Sequence, residues 1–208
     1  MPFSNFKSLG LTVKELQVIY TETNFVNQSD FTVSEYFRQD LEYVMREGVV
    51  NNSEFAICEN LIYPLLKEVW KTYSDKFTIW SHQLLTCDEV LSGYPEYILA
   101  KRSPLGKVVF DKPYLLIVEA KQDNFDWGWG QCLAEMVAAM RLNEGNAISV
   151  FGIVSNGINW EFGKLEGNNF THHPAPYSIF ELDKLFSVIN YLFQQSEIQL
   201  DNYQAIAA

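Results

Sequence analysis

The run Tyr114-Leu115-Leu116-Ile117-Val118, closed by Glu119-Ala120-Lys121, constrains this chain more than any other segment. An unbroken apolar run leaves no polar face, so it reads as a strand covered on both sides at the centre of a sheet, not as an edge. Charge then appears where charge is costly. Glu119 and Lys121 are two residues apart, and the strand period of two puts both side chains on one face of the sheet.

The segments around this strand alternate in period. Thr12 and Glu15 form a capping box opening a short helix through Tyr20, and a second helix from about Val33 closes at Gly48. Asn52 or Ser53 caps a longer helix from Glu54 to about Lys71, with Cys58, Leu61, Ile62, Leu65 and Val69 at helical spacing and, at Pro64, either a kink or a boundary one turn earlier. Residues 77–82, 94–101, 107–110 and 114–120 are β-branched and aromatic and read as strands. The turn Ser103-Pro104-Leu105-Gly106 and the tight connection Asp111-Lys112-Pro113 make them locally antiparallel.

A helical period returns from Asp126 to Asn143, closed by Gly145. A strand pair, 148–154 and 158–162, then flanks Ser155-Asn156-Gly157, and a last helix runs from a Ser178–Glu181 capping box to about Gln195. At 208 residues and 24.0 kDa the chain fits one domain. The expected class is α+β, with a central mixed sheet flanked by helices; residues 1–50 form an N-terminal helical lead-in packed on a core of residues 51–208.

Composition narrows the function classes. No apolar run approaches the roughly 20 residues that cross a bilayer, and the N-terminal Met-Pro-Phe-Ser-Asn-Phe-Lys lacks the charged-then-apolar order of a signal peptide. Cys58, Cys87 and Cys132 are scattered without a C-x-x-C pair, which favours a reducing, cytoplasmic setting. With 15 Lys+Arg against 26 Asp+Glu the net charge is −11, so attraction to a polyanion requires locally concentrated basic groups. The same balance points to a homo-oligomer or a basic partner protein as the working form.

Further acids sit among apolar residues. Glu96 follows Pro95 in the strand Tyr94-Pro95-Glu96-Tyr97-Ile98-Leu99, and adjacency of that strand to 114–120 brings Glu96 towards Glu119. Two neighbouring carboxylates repel unless a proton or cation lies between them, and a divalent ion with oxygen ligands is an efficient remedy. Glu54 falls on the helical stripe of Cys58, Leu61 and Leu65. The bland alternatives are a strand end emerging into water for Glu119 and Lys121, a salt bridge to Lys101 or Arg102 for Glu96, and a first-turn dipole partner for Glu54.

Pro95-Glu96, then 22 residues, then Glu119-Ala120-Lys121, preceded by an acidic helix residue and followed by a helix bearing Gln131, resembles the PD-(D/E)XK nuclease superfamily and its restriction endonuclease-like fold. The resemblance extends over roughly Ser53 to Leu165, and its departure is Glu96, where the superfamily usually has the shorter Asp. It implies metal-dependent phosphodiester hydrolysis, with DNA favoured over RNA. Glu96, Glu119 and the Ala120 carbonyl would bind Mg²⁺ or Mn²⁺. Lys121 would position or help deprotonate water and offset phosphoryl charge, and Glu54 would hold a metal-bound water or a second ion. Gln131 and Gln122 would contact Lys121 or a substrate phosphate.

Trp127 and Trp129, between glycines after Lys121, either stack on bases or pack on the domain. Lys101 and Arg102, with Lys107 and Lys112, form the basic stretch, which either steers phosphate or is a solvated rim. His172-His173 reads as a loop. The alternative to an enzyme is a catalytically inactive nuclease-fold module that binds protein or nucleic acid.

Overall fold

A computed structural model of the chain describes residues 2–143 and 148–207. Its N-terminal part holds α1 (Leu9–Leu16), β1 (Ile19–Glu22) and α2 (Glu35–Glu47). There follow α3 (Glu54–Ile57), a π turn (Cys58–Ile62), α4 (Tyr63–Trp70), β2 (Phe77–Ser81), β3 (Leu85–Thr86), β4 (Ser92–Gly93), β5 (Tyr97–Arg102) and β6 (Phe110–Ala120). The remainder is α5 (Phe125–Leu142), β7 (Val150–Ser155), β8 (Asn159–Glu166), β9 (Asn169–His172), β10 (Tyr177–Ser178) and α6 (Leu182–Ala207). The Gly145 helix stop lies outside the described residues. No described helix is long and apolar enough to cross a membrane.

The fold is α+β, with a mixed central sheet flanked by helices. Strand order is β1-β9-β8-β7-β6-β5-β2, with β10 joined to β8 and a separate β3-β4 hairpin. β6 runs parallel to β7, and β1 parallel to β9; the other pairs are antiparallel. A parallel pair needs a crossover, and α5 supplies it between β6 and β7. One apolar cluster joins α2, α3, α4 and α6 to one face of the sheet, and the other joins α5 and the N-terminal segment to the opposite face. β6 lies between them, with every residue from Pro113 to Ala120 buried, as the two-sided apolar run requires.

Several local expectations change. The first helix starts earlier, because Ser8 caps it by accepting from Leu11 N, and ends at Leu16 with Gln17 left-handed at φ 54°. Thr12 is no cap: its hydroxyl donates to the Ser8 and Gly130 carbonyls. Ile19–Glu22, read as helix through Tyr20, is a strand because β9 offers it a pairing edge. Residues 107–109 are not strand. The β5–β6 register jumps from Ala100↔Tyr114 to Arg102↔Phe110, and Pro113, which has no N–H for the ladder, sits within that break. At Pro64 the helix widens instead of ending: Tyr63 N–H bonds the Cys58 carbonyl in the π turn just before the residue that lacks a donor.

At the other end of the chain, β9 and β10 are additional strands, and His172 closes β9. Ser178 caps a 3-10 turn, Ile179–Glu181, ahead of α6. α6 continues beyond Gln195, where buried Ser196 bonds back to the Leu192 carbonyl and Leu200 packs into the core.

Candidate metal-dependent active site

Alternation along β6 puts Ile117, Glu119 and Lys121 on the α5 face, whereas Leu116, Val118 and Ala120 join the opposite cluster. Glu119 is fully buried and Lys121 nearly so. The antiparallel register pairs Tyr97 with Val118, so one further step along each chain brings Glu96, just ahead of β5, level with Glu119. Glu54 opens α3 behind the Ser53 cap. It reaches across to Lys121 from the first helical turn, with its side chain 39% exposed.

These groups line one cavity of about 440 Å³, shared by Glu54, Glu96, Glu119 and Lys121 with Gln122, Trp127 and Gln131. Asp123, Asn124 and Ser4 complete its lining; of these, only Ser4 lies outside the segments that the sequence points to. Gly128 explains how α5 approaches so closely. A Cβ there would lie 2.6 Å from Val154 Cγ1 and 3.0 Å from Lys121 Cγ, so only glycine lets the first turn of α5 close over the lysine. Asn124 caps that turn by accepting from Trp127 N, which turns Trp127 to the cavity. The Trp127 ring has Lys121 Nζ and Lys7 Nζ each 5.8 Å from its centroid, within cation–π range.

Lys121 Nζ lies 2.8 Å from Glu119 Oε1 and 3.4 Å from Glu54 Oε1. Burial works against its charge, but Glu119 and then Glu54 outweigh that, and the amine is held above the ordinary lysine range. Burial pushes the Glu119 carboxyl up to about 8; Lys121 opposes the shift, and Glu96 and Glu54 add to it. Glu96 is raised by the same burial, with His82 the main opposing group. Glu119 Oε2 is buried without any hydrogen-bond partner.

One acid of this cluster was not anticipated. Glu135 on α5 is fully buried, accepts from Gln131 Nε2 at 3.2 Å through Oε1, and leaves Oε2 unpartnered. Burial, followed by repulsion from Glu119, holds its carboxyl well above the ordinary range. The sequence signal was available: Gln131 and Glu135 are spaced i, i+4 on one helix face. His82 and Cys58 also reach the cluster through Glu96 Oε2, at 3.2 and 3.5 Å.

Other sequence-selected residues lie elsewhere or are otherwise engaged. Trp129 is buried in the sheet-facing core, donates to Glu161 at 2.6 Å and packs on Phe170 and His172. Lys101 and Arg102 sit at the opposite end of β5, roughly 17 Å of extended chain from Glu96. There Lys101 faces Asp111 at 3.8 Å and Arg102 donates to the Ser74 carbonyl at 2.6 Å. Gln122 is exposed on the cavity rim, with Nε2 donating to the Asn51 carbonyl at 2.9 Å.

The donor set suits a hard divalent cation, since the groups that converge are carboxylate oxygens and one of them is buried without a partner. Among the described residues no three His, Cys, Asp or Glu side chains are grouped at ion-holding spacing. An ion held by Glu96 and Glu119 would take backbone or water oxygens to complete its coordination shell.

No family profile matches the chain, and no curated protein matches it. One solved structure, that of the type IIG restriction endonuclease BpuSI, is similar with a TM-score of 0.42 and 14% identity over 85% of this chain. The chain spans 19% of the length of that protein.

Proposed function

We propose that this chain is a divalent-metal-dependent nuclease of the restriction endonuclease-like, PD-(D/E)XK type, hydrolysing phosphodiester bonds with DNA as substrate. The observation that carries the reading is the fully buried Glu119, whose Oε2 lacks a partner while Oε1 is paired to Lys121, with Glu96 level with it just ahead of the neighbouring strand. Burying an acid in that state costs stability, and the cost has a purpose if a cation is the missing partner.

Glu96, Glu119 and the Ala120 carbonyl are the groups that would hold Mg²⁺ or Mn²⁺. Such an ion supplies Lewis-acid polarisation of a phosphoryl oxygen. The chain's own groups do the rest. Lys121, 2.8 Å from Glu119 Oε1 and 3.4 Å from Glu54 Oε1, positions or helps deprotonate the attacking water and offsets charge growing on the phosphoryl group. Glu54, partly exposed at the cavity edge, accepts from an incoming water. Trp127 and Gln131 bound the space in which a nucleotide is held.

A second reading has a specific observation behind it. The −11 net charge opposes a polyanion, which suits a nuclease-derived module that binds a basic partner protein. It also suits a nuclease that works as a homo-oligomer or beside a basic subunit. The deciding experiment is cleavage of single- and double-stranded DNA with and without Mg²⁺ or Mn²⁺, by wild type and by Lys121→Ala. Metal-dependent cutting lost in the variant is the expected result, and equal activity in both refutes the assignment.

A further inference from the structure

We infer that His82 is a positioning residue that orients the Glu96 carboxylate for the cation; the inference rests on the metal-site reading above and assigns a role that neither the acid pattern nor that reading contains. His82 follows β2 and meets Glu96 at three points. Its backbone N–H donates to the Glu96 carbonyl at 3.0 Å, its Nδ1 lies 3.2 Å from that same oxygen, and its Nε2 lies 3.2 Å from Glu96 Oε2. The imidazole thus spans the main chain and the side chain of one residue. Ser81 Oγ, 3.3 Å from Nδ1, and the rings of Phe55 and Tyr97, at 5.6 and 6.3 Å, surround it.

Two details argue for orientation over simple packing. First, the side-chain contacts fall on one oxygen: Cys58 Sγ lies 3.5 Å from the Oε2 that His82 meets. That arrangement fixes the plane of the carboxylate and leaves Oε1 for another ligand. Removing a group of this kind, which sets the direction of a ligating side chain, typically lowers metal affinity about tenfold to a hundredfold. Second, His82 has φ 49°, in the left-handed region. A side chain there is strained where glycine is not, so the imidazole is held in a conformation the backbone alone would give to another residue.

The test uses Mn²⁺ alone, titrated calorimetrically into the full chain as wild type, His82→Gly and His82→Asn, with the Tm of each recorded. Glycine suits the left-handed backbone, so His82→Gly keeps its Tm while Mn²⁺ affinity falls about tenfold to a hundredfold. Asparagine also tolerates that conformation and retains a polar side chain, so His82→Asn recovers part of the affinity. Equal Mn²⁺ affinity in wild type and His82→Gly overturns the positioning role and leaves the metal site standing. A lower Tm in His82→Gly with full affinity in His82→Asn assigns the imidazole to the sheet and also overturns it. Wild type that binds no Mn²⁺ overturns both this role and the reading on which it rests.

Discussion

Two buried polar clusters in this molecule obey opposite rules. Around Asn190 on α6 every side-chain atom has a partner: Oδ1 accepts from Tyr73 OH at 2.7 Å, and Nδ2 donates to Ser29 Oγ at 3.0 Å and the Asp30 carbonyl at 3.1 Å. The cluster is neutral and ties α6 to the 3-10 turn that follows α4 and to the segment before α2. Around Glu119 the groups are ionisable acids beside one lysine, and Glu119 Oε2, Glu135 Oε2 and Trp127 Nε1 are buried with no partner. A polar group placed for stability is satisfied by the chain itself; Trp80 Nε1, His173 Nδ1 and Gln199 Nε2 are also buried without a partner, so what sets the Glu119 cluster apart is that its unmet groups are acids gathered with Lys121 beside one cavity. Size does not make that distinction. The groove between α2 and the start of α6 is about twice as large, about 880 Å³ against 440 Å³, yet its Arg38–Asp183 and Lys184–Glu181 charges are paired.

The contrast breaks most sharply in activity. Lys121→Ala or Glu119→Gln lowers metal-dependent cleavage by about 10²–10³-fold, while Asn190→Ala leaves the activity per folded molecule unchanged, both read from initial rates on one oligonucleotide. Next in size is the pH dependence of stability. Glu119 is raised from 4.5 to about 8, so between those values the folded state keeps a proton that the unfolded state has released. Its contribution is fully present below the unfolded value and is lost as pH rises through the folded one. Glu96 and Glu135 act in the same direction. Without added metal, wild-type Tm therefore falls by several degrees from pH 5 to pH 8, and Glu119→Gln flattens that slope; an unchanged slope in the variant contradicts the assignment.

The satisfied cluster has its own signature. Asn190→Ala removes three hydrogen bonds and leaves the Tyr73 hydroxyl buried without an acceptor, costing about 1–3 kcal/mol in denaturant unfolding, with the wild-type pH slope retained. The smallest effect is expected at Lys101 and Arg102. Because they lie at the far end of β5, Lys101→Ala changes cleavage by less than about twofold, within the scatter of surface substitutions, and a large loss would show that substrate extends along the strand to that rim.

What could be read before any coordinates were faces and textures. The two-sided apolar run gave β6 its central place, and the two-residue spacing put Glu119 beside Lys121, because strand alternation is a local property of the backbone. The α5 span was legible within a residue at either end. Pairings were less so. Residues 107–109 have strand composition but fall where the β5–β6 register breaks, and Ile19–Glu22 became a strand only because β9 offers an edge. Trp127 and Trp129 sit two apart on a helix, so they diverge: one lines the cavity and the other bonds Glu161 in the core.

The sequence by itself determined that a buried central strand ends in an acid and a lysine on one face, that a further acid stands among apolar residues, and that helices cover both sides of the sheet. Only the tertiary structure decided that Glu96 comes level with Glu119, that Glu135 approaches from α5, and that His82 engages Glu96 from a left-handed turn. The physical reason is range. Periodicity is written in neighbouring residues, whereas register, burial and the partners of a charge depend on segments distant along the chain, whose meeting only the packed fold defines.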